Sequence, residues 1–446
     1  MLAGLSIALG CKTFADRTVR IRTALDQHEL EEALQASNAA LGVRRANQTP
    51  APLKKNDALL LLDRAVVLQA LGDYQASSHD FEIADKGLEI LDFSRSTANE
   101  ISHYLFTDSA GPYQARPYEK LMLNSLNMIN YLALQNLEDA RVEARRFTIM
   151  RNYLLQGDEP DPQSIANAGA IGSYLAGYTF EKSGEPGEAL RYYDEALQAK
   201  EFASLATPAR RLSRLNGYST PRLRAVTKGL SAPRRQGSQD SEVLIVVTYG
   251  RVPAMIARRM PIGLALTVAA AFLPVGMDKQ ALRLAGQGLV TWVNYPELGP
   301  ARAQYPAPVV TVDSATQPFE EVANVDAIAR QAWEQSKGRV IAAAVIRMVT
   351  RAAIGAGVGV ATGKAAHESG LGVLAALLTE ASLAAADKPD TRSWGTLPAR
   401  IGVVRMRLPP GTHRIEVTIA GRQYVSDITV TARQWLVVDF EDLSMN

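Results

Sequence analysis

The feature that most constrains this chain is a change in the spacing of its apolar residues. From about residue 14 to 205, Leu, Ala and Tyr recur at intervals of three and four with Gly or Asn at the breaks, the period of helices that bury one face. Near the end the period becomes two. "RIGVVRMRL", "HRIEVTIAG", "QYVSDITVT" and "QWLVVDF" alternate between turns at Pro409-Pro410-Gly411, Gly421 and Ala432-Arg433. A chain that switches in this way is expected to be α+β, with a helical array over 11–205 and a small antiparallel β-sandwich-like module over 396–446. Between them lies a mixed α/β region, 241–395. It opens on the β-branched run "SEVLIVVTYG" and returns to Ala- and Gly-rich helical periodicity from Val322 to about Ala386.

The helical part is similar to itself. Residues 58–84 carry Ala65, Gly72, Tyr74, Phe81 and Ala84, and residues 174–198 carry Gly177, Gly184, Pro186, Ala189, Tyr193 and Ala196 at matching offsets. Small residues at 65, 177 and 189 let antiparallel helices approach, Gly72 and Gly184 close the turns, and the aromatics at 81 and 193 fill the gap to the next pair. Weaker copies around Tyr131, Gln135, Leu137 and Ala140, and around Leu30 and Ala33, put turns near 28, 72, 135 and 184. These stretches resemble tetratricopeptide repeats in a degenerate array with insertions. That resemblance implies a concave face lined by the first helix of each pair. By offset, Gln69, Tyr174, Tyr178 and Glu181 are its candidate partner contacts, Tyr offering large, stiff area with a polar end.

From Phe202 to Gln239 Arg and Lys occur without a single Asp or Glu, and Pro, Gly and Ser are scattered between them. Residues 206–240 therefore read as a basic linker, either solvated or facing phosphates of an anionic polymer through Arg forks. Over the whole chain the formal charge is only +2, which gives no push toward nucleic acid.

Motifs of catalysis are weak. "GVGVATGK", residues 357–364, misses the first Gly of a phosphate-cradling loop and has Ala365 in place of the hydroxyl that would hold magnesium, so no nucleotide is expected. The histidines at 28, 79, 103, 367 and 413 have no ligand spacing, so neither metal nor cofactor is expected. Carboxylate pairs such as Glu138-Asp139 and Glu320-Glu321 read as solvated helix faces. In "DKPDTRSWGTLP", residues 387–398, Asp390, Arg392 and Trp394 offer either a groove or an Asp–Arg pair under a Trp that fixes the junction to the β module.

A single cysteine rules out internal disulfides and thiolate metal clusters, and leaves core filler, a nucleophile or a modification site. Cys11 follows the uncharged apolar stretch MLAGLSIALG, with small Gly10 just before it. The stretch resembles the bacterial lipobox, with Ala8 where Leu is usual and no basic segment ahead of it, as a start assigned too late would leave it. The resemblance implies a signal peptide over 1–10, acylation of Cys11, and sorting to the outer membrane because Lys12 stands where Asp would retain the protein in the inner one. No later apolar run has the length of a membrane span.

Together with "RPYEKLMLNSLNMINYLALQNLEDARVEARRF", "SEVLIVVTYGRVP" and "DTRSWGTLPARIGVVRMRLPPGTHRIEV", these features resemble an uncharacterised family of Gram-negative lipoproteins. The expectation is a non-enzymatic outer-membrane lipoprotein facing the periplasm, lipid-anchored, that binds a periplasmic or outer-membrane protein through its helical repeats in cell-envelope assembly. An envelope enzyme or peptidoglycan-synthesis regulator working through 387–398 is the alternative.

Overall fold

The computed structural model describes residues 14–54, 56–88, 113, 115–157, 161–228, 239–286, 292–300, 306–355 and 389–445. Four helical hairpins come first: α1 (Phe14–Asp26) with α2 (Leu30–Leu41), α3 (Asp57–Ala70) with α4 (Tyr74–Gly87), α5 (Pro117–Ala133) with α6 (Leu137–Leu155), and α7 (Pro162–Lys182) with α8 (Pro186–Ala196). Their turns share one geometry. His28, Gly72, Gln135 and Gly184 sit in the left-handed region, at φ 62°, 77°, 57° and 77°. The next N–H (Glu29, Asp73, Asn136, Glu185) donates to the carbonyl five residues back (Ala24, Leu68, Tyr131, Phe180) at 2.8–2.9 Å. This Schellman arrangement satisfies the last carbonyls of the first helix. Asp73 and Asn136 then cap the second helix by accepting from Ala76 and Asp139.

Within and between the hairpins small residues make room for rings. A Cβ on Gly177 would lie 2.4 Å from the Tyr193 ring, and one on Gly172 would lie 2.2 Å from Phe147. Ala65, Ala84, Ala189 and Ala196 are fully buried as well.

The basic stretch after α8 is structured rather than a linker in its first part. Residues 206–228 form α9 (Ala206–Asn216) and α10 (Pro221–Thr227), because their arginines have acidic partners within the helical array. Arg211 pairs with Glu181, and Arg222 pairs with Asp194 at 2.5 Å.

Two four-stranded sheets follow. The first has the order β10-β1-β7-β6, from β1 (Ser241–Arg251), β6 (Glu320–Asn324), β7 (Pro398–Leu408) and β10 (Trp435–Asp442). β1 runs parallel to β10 and antiparallel to β7. The second has the order β5-β4-β8-β9, from β4 (Val309–Val312), β5 (Ala315–Gln317), β8 (Gly411–Ile419) and β9 (Arg422–Val430). Residues 396–446 are therefore no separate module. Their strands complete sheets begun by β1 and β4, so the sandwich draws on both sides of the mixed region.

β1 is the central strand of the molecule. Val243, Ile245 and Val247, with Val404 and Phe440 of the same sheet, pack against Ile415 and Val417 of the second sheet. Leu244 and Val246 face the other way, joining Ile401, Val403 and Val437 in a core shared with the hairpins. Burial on both faces explains the unbroken apolar run that alternation would otherwise interrupt. Between β1 and β4 the chain inserts β2 (Met255–Pro261), α11 (Ile262–Ala269), α12 (Met277–Gly286) and β3 (Trp292–Leu298), which pack with a second core on the long α13 (Val325–Gly355). Glu320 and Glu321 lie on strand β6, not on a helix face. Glu320 accepts from the Ala203 N–H at 2.7 Å, and Arg400 pairs with Glu321 at 3.0 Å. Among the described residues no helix is long and apolar enough to cross a membrane.

Candidate functional site

The four residues expected on a partner-binding face are all buried within the chain. Gln69 donates to the Leu126 carbonyl at 3.0 Å and to Asn130 at 2.6 Å, bridging α3 to α5. Tyr174 donates to Ser204 at 3.0 Å and meets Tyr193 and Phe202 edge-on. Tyr178 lies edge-on to Trp435 of β10, with its centroid 6.2 Å away, and beneath the Arg405 guanidinium of β7 at 5.1 Å. Glu181 pairs with Arg405 at 2.8 Å and accepts from the Tyr193 hydroxyl at 2.7 Å. The correction has two physical reasons: the neighbouring hairpin packs over Gln69, and the chain's own first sheet covers Tyr178 and Glu181, so these side chains present no free surface.

The network is charge-balanced. Arg405 also donates to Glu242 at 2.5 Å, and Lys182 pairs with Glu242 at 2.7 Å. Burial pushes the Glu181 carboxyl up, yet Arg405, Lys182 and Arg211 together hold it well below the usual carboxylate range.

Asp390, Arg392 and Trp394 form a strap rather than a groove. Arg392 is 2% exposed and is gripped by Asp390 at 2.6 Å and Asn56 at 3.3 Å. Trp394 meets Phe81 of α4 edge-on, and Thr396 donates through its N–H and its hydroxyl to Asp63 of α3 at 3.0 and 3.1 Å. The segment thus ties β7 to the α3–α4 hairpin. Cys11 and Lys12 lie outside the described residues.

Beside this strap lies a cleft of about 260 Å³, lined by Val19, Arg22 and Asp26 of α1, Arg251 at the end of β1, Pro253 and Gly395. Arg251 is 1% exposed. It donates to Asp26 at 2.5 Å and to the Arg22 carbonyl at 3.2 Å, while its Nε has no partner among the described residues. Burial first, and Arg22 with it, lower the Arg251 guanidinium to about 10 against the support of Asp26. Asp63, just beneath Gly395, is pushed by burial up to about 7 despite its donors from Thr396. The cleft thus brings the Arg22 and Arg251 side chains together, with an Nε–H of Arg251 left over for an anionic group.

A second charged cluster escaped the sequence reading. Asp439 and Glu441 project from β10 toward the hairpins with their four carboxylate oxygens buried, none of them in a well-formed hydrogen bond among the described residues. Burial raises both carboxyls, Asp439 to about 7 and Glu441 well above the usual range. The pair shares the parity of buried Val437, a signal that the i, i+2 spacing in "VVDFED" does carry. His413 is structural: Asp313 takes Nδ1 at 2.6 Å, and Nε2 reaches the Pro409 carbonyl at 2.8 Å. No group of three or more His, Cys, Asp or Glu among the described residues is placed to hold a metal.

Fold and cleft define an α+β protein of helical hairpins joined to a β-sandwich through a shared core. No family model, no curated protein and no solved structure matches the chain.

Proposed function

We propose that the chain is a non-enzymatic envelope scaffold, acylated at Cys11, sorted by Lys12 to the outer membrane and facing the periplasm, with tetratricopeptide-like hairpins that hold a partner protein. The observation that carries this reading is the cleft between α1 and the end of β1. There the first helix of a hairpin contributes Val19, Arg22 and Asp26 to a concave site whose buried Arg251 retains an unpartnered N–H. Its chemistry suits a carboxylate of the partner, since a guanidinium meets planar carboxylates through parallel donors. The segment 387–398, the alternative site for an enzyme, has its charged side chains engaged: Arg392 pairs with Asp390 and reaches Asn56 at the start of α3.

The test is photo-crosslinking from Val19 and Thr23 at the cleft rim, with exposed Leu215 as control position. Discrete protein adducts from the rim, lost when Arg22→Gln is combined with Arg251→Met in a chain that keeps wild-type circular dichroism, are expected. Adducts that persist in that double variant sink the cleft reading. Intact mass and membrane fractionation of the wild type and Cys11→Ser check the anchor separately.

A further inference from the structure

The insert between β1 and β4 carries apolar side chains that are exposed among the described residues. From Ile262 to Gly276 the sequence IGLALTVAAAFLPVG has no charged residue. One face of α11 is buried against α13 through Ile262, Ala265, Leu266 and Ala269. The opposite face would normally be polar in a helix at the surface of a globular protein. Here its outward residues are Gly263, Leu264 and Thr267, with only Thr267 polar.

The exposure is large, and it falls on elements built round one core. Leu264 is 54% exposed, Val275 107%, Leu282 of α12 55% and Trp292 of β3 51%. Trp292 stands opposite Pro261 in the β2–β3 ladder, directly before the start of α11. Single apolar residues scattered over a surface need no explanation, but four large ones within one short insert, accompanied by basic side chains, do. Arg258, Arg259, Lys279 and Arg283 are exposed, against the acidic Asp278 and the half-buried Glu297 that pairs with Arg258 at 3.2 Å. Leu, Val and Trp accompanied by Arg and Lys match the chemistry of an interfacial segment on an anionic bilayer.

We infer that this insert is a membrane-contact surface, seating Leu264, Val275, Leu282 and Trp292 in the headgroup region of an anionic lipid bilayer with Arg259, Lys279 and Arg283 on lipid phosphates. The contact is separate from the proposed acyl anchor and complements it, since one weak membrane signal gives reversible binding and two give a stable one. Phe14, where α1 begins, is only three residues from Cys11. An acylated chain would thus hold α1 within about 10 Å of the bilayer surface. α1 and the base of the β2–β3 hairpin line the same cleft, so an anchored molecule would bring the insert toward the lipid as well.

The test uses the full chain carrying Cys11→Ser, so that no acyl chain contributes and failure of the anchor is scored apart from failure of the insert. Trp292 is the most exposed of the four tryptophans; Trp333 is 9% and Trp394 2% exposed, and Trp435 is half-buried. Its fluorescence, read with the quencher iodide, reports directly on the patch. With vesicles containing phosphatidylglycerol, Trp292 is expected to be shielded from iodide and quenched by lipids brominated near the headgroup. Leu264→Glu combined with Leu282→Glu, and Arg259→Glu combined with Arg283→Glu, are each expected to weaken binding about tenfold or more. Both variants alter exposed side chains, and an unchanged thermal midpoint shows that they fold. Three results overturn the inference: Trp292 staying open to iodide at saturating vesicles, binding to purely zwitterionic vesicles unaffected by the Arg reversals, or shielding of Trp292 without lipid in a dimer seen by ultracentrifugation. The last would assign the face to a second copy of the chain.

Discussion

Glu181 and Arg405 show how one side chain can change its meaning between sequence and structure. On the helix surface Glu181 is an ordinary acidic position; in the fold it is the acceptor around which Arg405, Lys182, Arg211 and Tyr193 gather. Removing one partner of a buried pair leaves the other uncompensated, so Glu181→Gln is expected to destabilise the protein by about 3 kcal/mol in urea unfolding at pH 7. Because the folded carboxyl is held below its unfolded value, its contribution is present above the ordinary glutamate range and is lost as pH falls through the folded value. The penalty of Glu181→Gln should therefore shrink on acidification; a penalty constant from pH 7 to pH 3 would mean that the charge does no stabilising. Gly177 is a second test at this scale. A methyl there would sit against Tyr193, whose hydroxyl also donates to Glu181, so Gly177→Ala should cost about 1–3 kcal/mol although Ala is the better helix former. The need for a small residue at 177 was legible from its offset to Gly184. The fate of Tyr178 and Glu181 was not, since nothing local says that a sheet strand will cover them.

At the scale of elements, β10 carries the least expected arrangement. Asp439 and Glu441 face the hairpins beside Tyr74, whose hydroxyl burial and these two carboxyls push well above the usual phenol range. Raised folded values mean that the protonated forms are favoured in the native state. Stability from this strand is fullest below the ordinary carboxylate range and falls as pH rises from about 4 towards the folded value of about 7 for Asp439. Asp439→Asn keeps the shape and removes the charge. It should raise stability by roughly 1–3 kcal/mol at pH 8 and hardly at all at pH 4. Equal effects at both pH values, by thermal melts in matched ionic strength, would show that the acid is paired in a way the present contacts omit. The existence of β10 was readable from two-residue alternation, and so was the β character of β1. Their parallel pairing was not, because register between strands so distant in sequence depends on which faces find a cover.

For the whole molecule, the shared core decides how many parts unfold. Length and the switch of period suggested separable domains, but Leu244, Val246, Ile401 and Val437 share a core with Leu126, Tyr174 and Tyr178. The basic stretch that looked like a boundary instead docks on the array through Arg211 and Arg222, because a run of arginines reads as a linker only until its acidic partners are known. Hairpins and sandwich should consequently melt as one cooperative unit, since neither can expose its half of that core without the other losing it. Arg405→Met tests the coupling from the sheet side. It removes the cation from a β7 position and should lower the midpoints seen by helical circular dichroism and by fluorescence of Trp435, which lies against Tyr178, by the same amount. Two midpoints that separate, with only the β signal moving, would mean that the hairpins stand on their own core and that the sheet merely rests on them. In that case the face of Tyr174, Tyr178 and Glu181 would become open whenever the sheet lifts, and the partner-binding role first read for those residues would return as a property of the opened state.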